Sequence, residues 1–182
     1  MAIGTETLFP TAVESFSNFS PTPVVADVNE DIDTGSPTAD SSTWDGNGNI
    51  AIRYSFDTPS GDLTNGQTQR FRVILQRVDG GGGNANTPEF SIGVAEAGGT
   101  TIADTGTIGI LTSNTWYEYR FDWDSSILAA QNGSNVEIDI TQSNGGGGSP
   151  QRRAGIDIAA VNWDLVYTLP AGQASEANVV WV

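Results

Sequence analysis

From Asn49 onward, apolar and polar residues alternate with a period of two. Ile50, Ile52, Tyr54 and Phe56 face one way and Ala51, Arg53 and Ser55 the other, the pattern of a strand with one buried side. Phe71, Val73 and Leu75 repeat it opposite Arg70, Arg72 and Gln76, and Phe90, Ile92 and Val94 follow. Tyr117, Tyr119, Phe121 and Trp123 form the heaviest apolar stripe, opposite Trp116, Glu118, Arg120 and Asp122. Val136, Ile138 and Ile140 come next. In the last run Ile156 and Ile158 share a face, while Val161, Trp163, Leu165 and Tyr167 continue one residue out of step. A slip near Ala159–Ala160 predicts a β-bulge or a bend between sheets. Only Ser125 to Gln131 has helical character, with Ser126 as its cap and Asn132–Gly133 as its stop.

Strands joined by turn-rich linkers predict an all-β fold, an antiparallel β-sandwich of jelly-roll or Greek-key type with about eight strands. Residues 23–169 form that domain. Residues 1–22, rich in Ser, Thr and Pro, read as an extended N-terminal arm, and residues 170–182 as a C-terminal tail. Leu8, Phe9, Phe16 and Phe19 in the arm, and Val179, Val180, Trp181 and Val182 in the tail, are the candidate partner-binding residues. An apolar end after a Gly/Ser/Glu linker suits a strand added to a neighbour's sheet or a plug in its groove. The glycine tracts Gly80–Gly83 and Gly145–Gly148 each lie between strands. They have no following helix and no lysine, so they do not read as phosphate loops.

Composition narrows the partners. The 182 residues suffice for one domain with a real core. No cysteine is present, so disulfides and thiolate metal sites are excluded. The 22 acidic residues face 7 basic ones, all arginine, for a net charge of −15. Such a chain repels nucleic acid and anionic membrane surfaces. No apolar run approaches the roughly 20 residues that span a bilayer. Met1–Phe9 has neither the basic nor the apolar region of a secretory signal.

Candidate chemistry is sparse. Without His, Cys or Lys there is no imidazole base, thiolate or Schiff-base amine, and the expectation is a chain that is not an enzyme. Carboxylates remain, in the pairs Asp122 with Asp124 and Glu137 with Asp139. A glycosidase needs two such groups about 5 to 10 Å apart, but in an acidic β-protein a solvated face supplies them by chance. Asp27, Asn29, Asp31 and Asp33 place oxygens at every second residue, like the start of a calcium loop. Ile32 and Thr38 stand where an EF-hand has glycine and a bidentate glutamate. A looser, weak calcium site is the only cofactor reading left, beside that of a solvated acidic turn. Of five tryptophans, Trp123 and Trp163 share apolar stripes and read as core. Trp44, in a polar loop, and Trp116, off the stripe, are candidates to stack a sugar ring.

One resemblance adds to this. Val28–Asp33, the run Phe56-Asp57-Thr58-Pro59-Ser60-Gly61 and the run Gln69-Arg70-Phe71-Arg72-Val73 come in that order. Trp123–Ser126, Gly148-Ser149-Pro150 with Arg152-Arg153, and Ala160-Val161-Asn162-Trp163 follow. Together they resemble small β-sandwich proteins of tailed-phage virions, across roughly residues 23–168. The resemblance implies a capsid decoration or cement protein on the virion surface, made in the host cytoplasm. Its partners would be the major capsid protein or other virion proteins, and copies of itself. It supplies no catalytic residues. The alternative is a carbohydrate- or receptor-binding module of a tail or fibre.

Overall fold

The structure, a computed structural model, describes residues 3–17, 19, 22–29, 31–33, 42–43, 50–63, 66–79, 89–109, 112, 114–129, 133–143 and 154–169. These form eleven strands, all paired antiparallel, in two sheets. The strands are β1 (Ile3–Leu8), β2 (Pro10–Ser17), β3 (Ser42–Thr43), β4 (Ile50–Phe56), β5 (Thr68–Asp79) and β6 (Glu89–Glu96). They continue with β7 (Thr101–Asp104), β8 (Ile108–Gly109), β9 (Trp116–Asp124), β10 (Val136–Ser143) and β11 (Ala154–Thr168). The first sheet runs β1-β11-β5-β9, with β3 also on β11; the second runs β2-β4-β10-β6-β7, with β8 also on β6.

The period-two stripes become the facing inner surfaces. Phe71, Val73, Leu75, Ile156, Ile158, Val161 and Trp163 of the first sheet are fully buried against Ile52, Tyr54, Ile92, Val94, Ile138 and Ile140 of the second. Each such side chain contributes about 1.5–3 kcal/mol of hydrophobic stabilisation. Aromatic rings link the two layers. Phe56 stacks on Phe71 at 5.7 Å, and Trp163 meets both edge-on at 5.5 and 6.0 Å. The expected slip in the last strand is present: Ile158 pairs with Leu75 but Ala160 with Ile74. That extra residue lets Ile158 and Val161 both point inward.

Two expectations change. The segment read as an arm is part of the sandwich, because β1 pairs with Trp163–Thr168 and β2 with β4. Its backbone hydrogen bonds, which the polar composition hides, hold it there. Gly4 lets the Tyr167 ring lie over β1, since a Cβ there would sit 2.6 Å from Cζ and the ring would have to shift. Val28 then occupies the stretch of β11 between β1 and β3, accepting from the Val161 amide at 2.9 Å. The helical segment is shorter than its pattern. It is a 3-10 turn, Ser125–Ile127, capped by Asp124, whose side chain accepts from the Ser126 amide. The two glycine tracts lie outside the described residues.

Candidate functional site

The outward residues of β9, β5, β11 and β1 form a charged face. Three of the seven basic residues, Arg70, Arg72 and Arg120, stand on it because each alternates with an inward apolar residue. Arg70 donates through Nε and Nη2 to the two oxygens of Asp122, at 2.6 and 2.8 Å. Arg72 donates from Nη1 and Nη2 to both oxygens of Asp33, at 2.9 and 2.8 Å, and from Nε to Glu118 at 2.9 Å. Its Nη1 lies 3.6 Å from Asp164. Arg120 donates to the same Glu118 oxygen at 2.7 Å. These guanidiniums hold the carboxyls of Asp33, Glu118 and Asp122 below their ordinary values.

The acidic loop takes its explanation from this face. Asp33 clamps Arg72, Asp31 accepts from the Asp33 amide at 2.9 Å, and Asn162 accepts from the Ile32 amide at 2.9 Å. Two of the four residues that suggested calcium, Asp31 and Asp33, thus spend oxygens on the loop itself and on β5. Asn29 is exposed, and Asp27 ends a 3-10 turn, its side chain outside those described. Among the described residues no cluster of three or more acidic groups is placed to hold a metal ion.

A groove of about 460 Å³ opens on the same face, lined by Thr5, Thr7, Thr68, Arg70, Asp164 and Val166. Its origin is a divergence of strands. The β5–β11 pairing ends at Arg70 with Asp164. Beyond it the fully buried Gln69 side chain bridges the gap, donating to the Val166 carbonyl at 3.0 Å and accepting from the Val166 amide at 2.9 Å. A glutamine at an inward position of β5, in step with Phe71 and Val73, was the signal for this feature in the sequence.

The outer face of the second sheet differs. Arg53 lies 3.4 Å from Glu137 and 3.2 Å from Asp139, and donates to the Gly99 carbonyl at 2.7 Å. Thr101 donates to Asp139 at 2.5 Å. Glu137 is only 3 % exposed, and burial pushes its carboxyl above the ordinary range, with Glu14 and Asp139 acting in the same direction against Arg53. Glu137, one of the carboxylates weighed for acid–base chemistry, is thus raised by its burial. Asp122 is held as an anion by Arg70, and Asp124 is held low by the Ser126 amide and hydroxyl it accepts from.

The candidate binding residues separate. Phe19 is buried in the core, Leu8 packs against it and Phe9 is half-buried. Phe16 on β2 remains 44 % exposed. Trp116 is half-buried at the far end of β9, paired with Gln76, away from the groove. Trp44 and Val179–Val182 lie outside the described residues.

No family model and no curated protein matches the chain. Solved structures that align with the chain include a cyclase from Fischerella sp. TAU, at TM-score 0.45 and 11 % identity over 92 % of this chain and 75 % of that one. The enzymatically active domain of bacteriophage CBA120 tailspike protein 4 aligns at TM-score 0.35 and 17 % identity, covering 91 % of this chain and 19 % of that one. The Tobacco streak virus coat protein aligns at TM-score 0.26 and 14 % identity, over 74 % of this chain and 95 % of that one. The expectation that the chain is not an enzyme does not stand, with a cyclase among the solved structures that align with it. Missing His, Cys and Lys closes some catalytic routes but not those that carboxylates serve. At such low similarity no activity carries over.

Proposed function

We propose that this chain is a structural protein on the exterior of a tailed-phage-like virion, a decoration or tail-associated module that docks through the β2 edge of its second sheet. The observation that carries the reading is Phe16, 44 % exposed on an eight-residue edge strand. Among the described residues no strand pairs with the outer side of β2. Edge strands present unpaired N–H and C=O groups, and an uncovered one is a template for a neighbouring chain. Its register shifts at Pro10/Ala12 and Val13/Ser15 restrict which strand can add there. The sequence resemblance to virion sandwiches supports the same reading, and the partner it implies is a shell or tail subunit.

Purified particles from the producing host, analysed by mass spectrometry, should contain the chain in stoichiometric amount. Recombinant protein should co-sediment with particles stripped of it, and the Phe16→Ser protein should not, while its melting transition stays cooperative. Absence from particles, or undiminished co-sedimentation of the folded variant, would overturn the proposal.

A further inference from the structure

The groove between β1, β11 and β5 is a second feature of the surface, and its chemistry points to a ligand class. Arg70 uses two of its three guanidinium nitrogens on Asp122, leaving Nη1 without a protein partner among the described residues. Asp164 accepts from the Thr7 hydroxyl at 2.8 Å through Oδ1, while among the described residues Oδ2 has only the long 3.6 Å approach of Arg72. The hydroxyls of Thr5 and Thr68, which also line the groove, have no protein partner among the described residues. Glu6, the other carboxylate of the lining, is spent on the Ser60 amide and hydroxyl, so the groove offers one guanidinium nitrogen, the Asp164 acceptor and two hydroxyls that serve as either. Val166 and the threonine methyls supply apolar surface between them.

Charge decides which polar ligands fit. Arg70 is already neutralised by Asp122, and the chain carries a net charge of −15, so the groove has little attraction for an anion. Asp164 is engaged by Thr7 and approached by Arg72, so a cation gains little there. A neutral ligand rich in hydroxyl groups and C–H faces satisfies both halves of the lining. The volume of about 460 Å³ lies within the range of small-molecule sites, about 300–1,000 Å³. The site is also built rather than incidental. The fully buried Gln69 amide holds Val166 from beneath, fixing the floor where the strands part.

We propose that this groove binds a neutral saccharide, contacting one or two sugar rings through Thr5, Thr68, Arg70 and Asp164. Among the described residues no aromatic ring lines it, so the ring-stacking contribution common in sugar sites is missing and affinity is weak, in the millimolar class. The site is distinct from the β2 edge, which belongs to the other sheet, so either proposal can fail alone.

The test is a titration of the full chain with neutral oligosaccharides of glucose, galactose, mannose, xylose and N-acetylglucosamine, followed by amide NMR shifts. At least one should move the amides of Thr5, Thr7, Thr68, Arg70 and Val166 in a saturable way. The double variant Thr5→Val and Thr68→Val keeps side-chain shape and removes both hydroxyls. It should weaken binding about tenfold, as losing a ligand hydrogen bond does, while Thr107→Val in the loop between β7 and β8 changes nothing. Silence across the whole panel, shifts centred away from the groove, or unchanged affinity in the double variant would overturn the proposal.

Discussion

The outer faces of the two sheets are built from the same residue types and end with opposite proton affinities. On the first sheet three arginines thread between carboxylates, and Asp33, Glu118 and Asp122 are held below their ordinary values. On the second sheet the only guanidinium within ion-pair distance of Glu137 and Asp139 among the described residues is Arg53, shared between them, and burial raises Glu137. The number of arginines per carboxylate, together with depth, sets the sign. The same division separates the functions proposed above, with a groove on the satisfied face and a free edge on the other sheet.

The largest effect expected lies under the groove. Gln69→Leu would remove the carboxamide that satisfies the Val166 amide and carbonyl and leave both without it. The expected cost is about 3 kcal/mol in urea unfolding, since each unmade buried hydrogen bond costs about 1–3 kcal/mol. An effect below about 1 kcal/mol would mean that the strands close over the gap and that the floor is not fixed.

Arg72→Met keeps the aliphatic stem but abandons Asp33, Glu118 and Asp164 together. It is expected to cost about 2 kcal/mol, less than a fully buried pair because Asp33 is largely exposed. Amide exchange should rise at Ile32 and Asp33, the loop that the arginine pins. A destabilised protein with an unchanged loop would contradict the clamp.

Glu137→Gln sharpens the comparison through pH. Carboxyls whose folded values are lowered add stability that is present above the ordinary carboxylate range and is lost as pH falls through those lowered values. Glu137 runs the other way, contributing fully below its ordinary value of 4.5 and losing that contribution as pH rises through its raised folded value. The glutamine variant should therefore gain on wild type as pH rises toward neutrality. A constant difference between pH 4 and pH 7 would show that Glu137 is not strained. The smallest effect expected is that of Arg120→Ala, about 0.5 kcal/mol or less, because that guanidinium is exposed and Glu118 keeps Arg72.

The interior strands were legible because burial on one side imposes period two. Ile52, Phe71, Ile92, Phe121, Ile138 and Trp163 were all placed correctly, and so was the bulge beside Ala160. The edge strands were not. In β1 the outward Thr5 and Thr7 alternate with Gly4 and Glu6, so neither side is apolar, and pairing with β11 alone makes it a strand. The short β3, β7 and β8 carry too few residues to show a period. The acidic loop was seen but its purpose was not, because Arg72 is 39 residues from Asp33 in sequence. Gln69 was visible as a polar residue out of step. Its meaning required knowing that β5 and β11 part beside it.

The most direct test of a docking edge separate from the groove face is hydrogen exchange on the free and the particle-bound protein. The account predicts new protection confined to Pro10–Ser17 and its partner β4, with Thr5, Thr68 and Val166 exchanging as in the free chain. Protection spread over the outer face of the first sheet, with β2 unchanged, would contradict it.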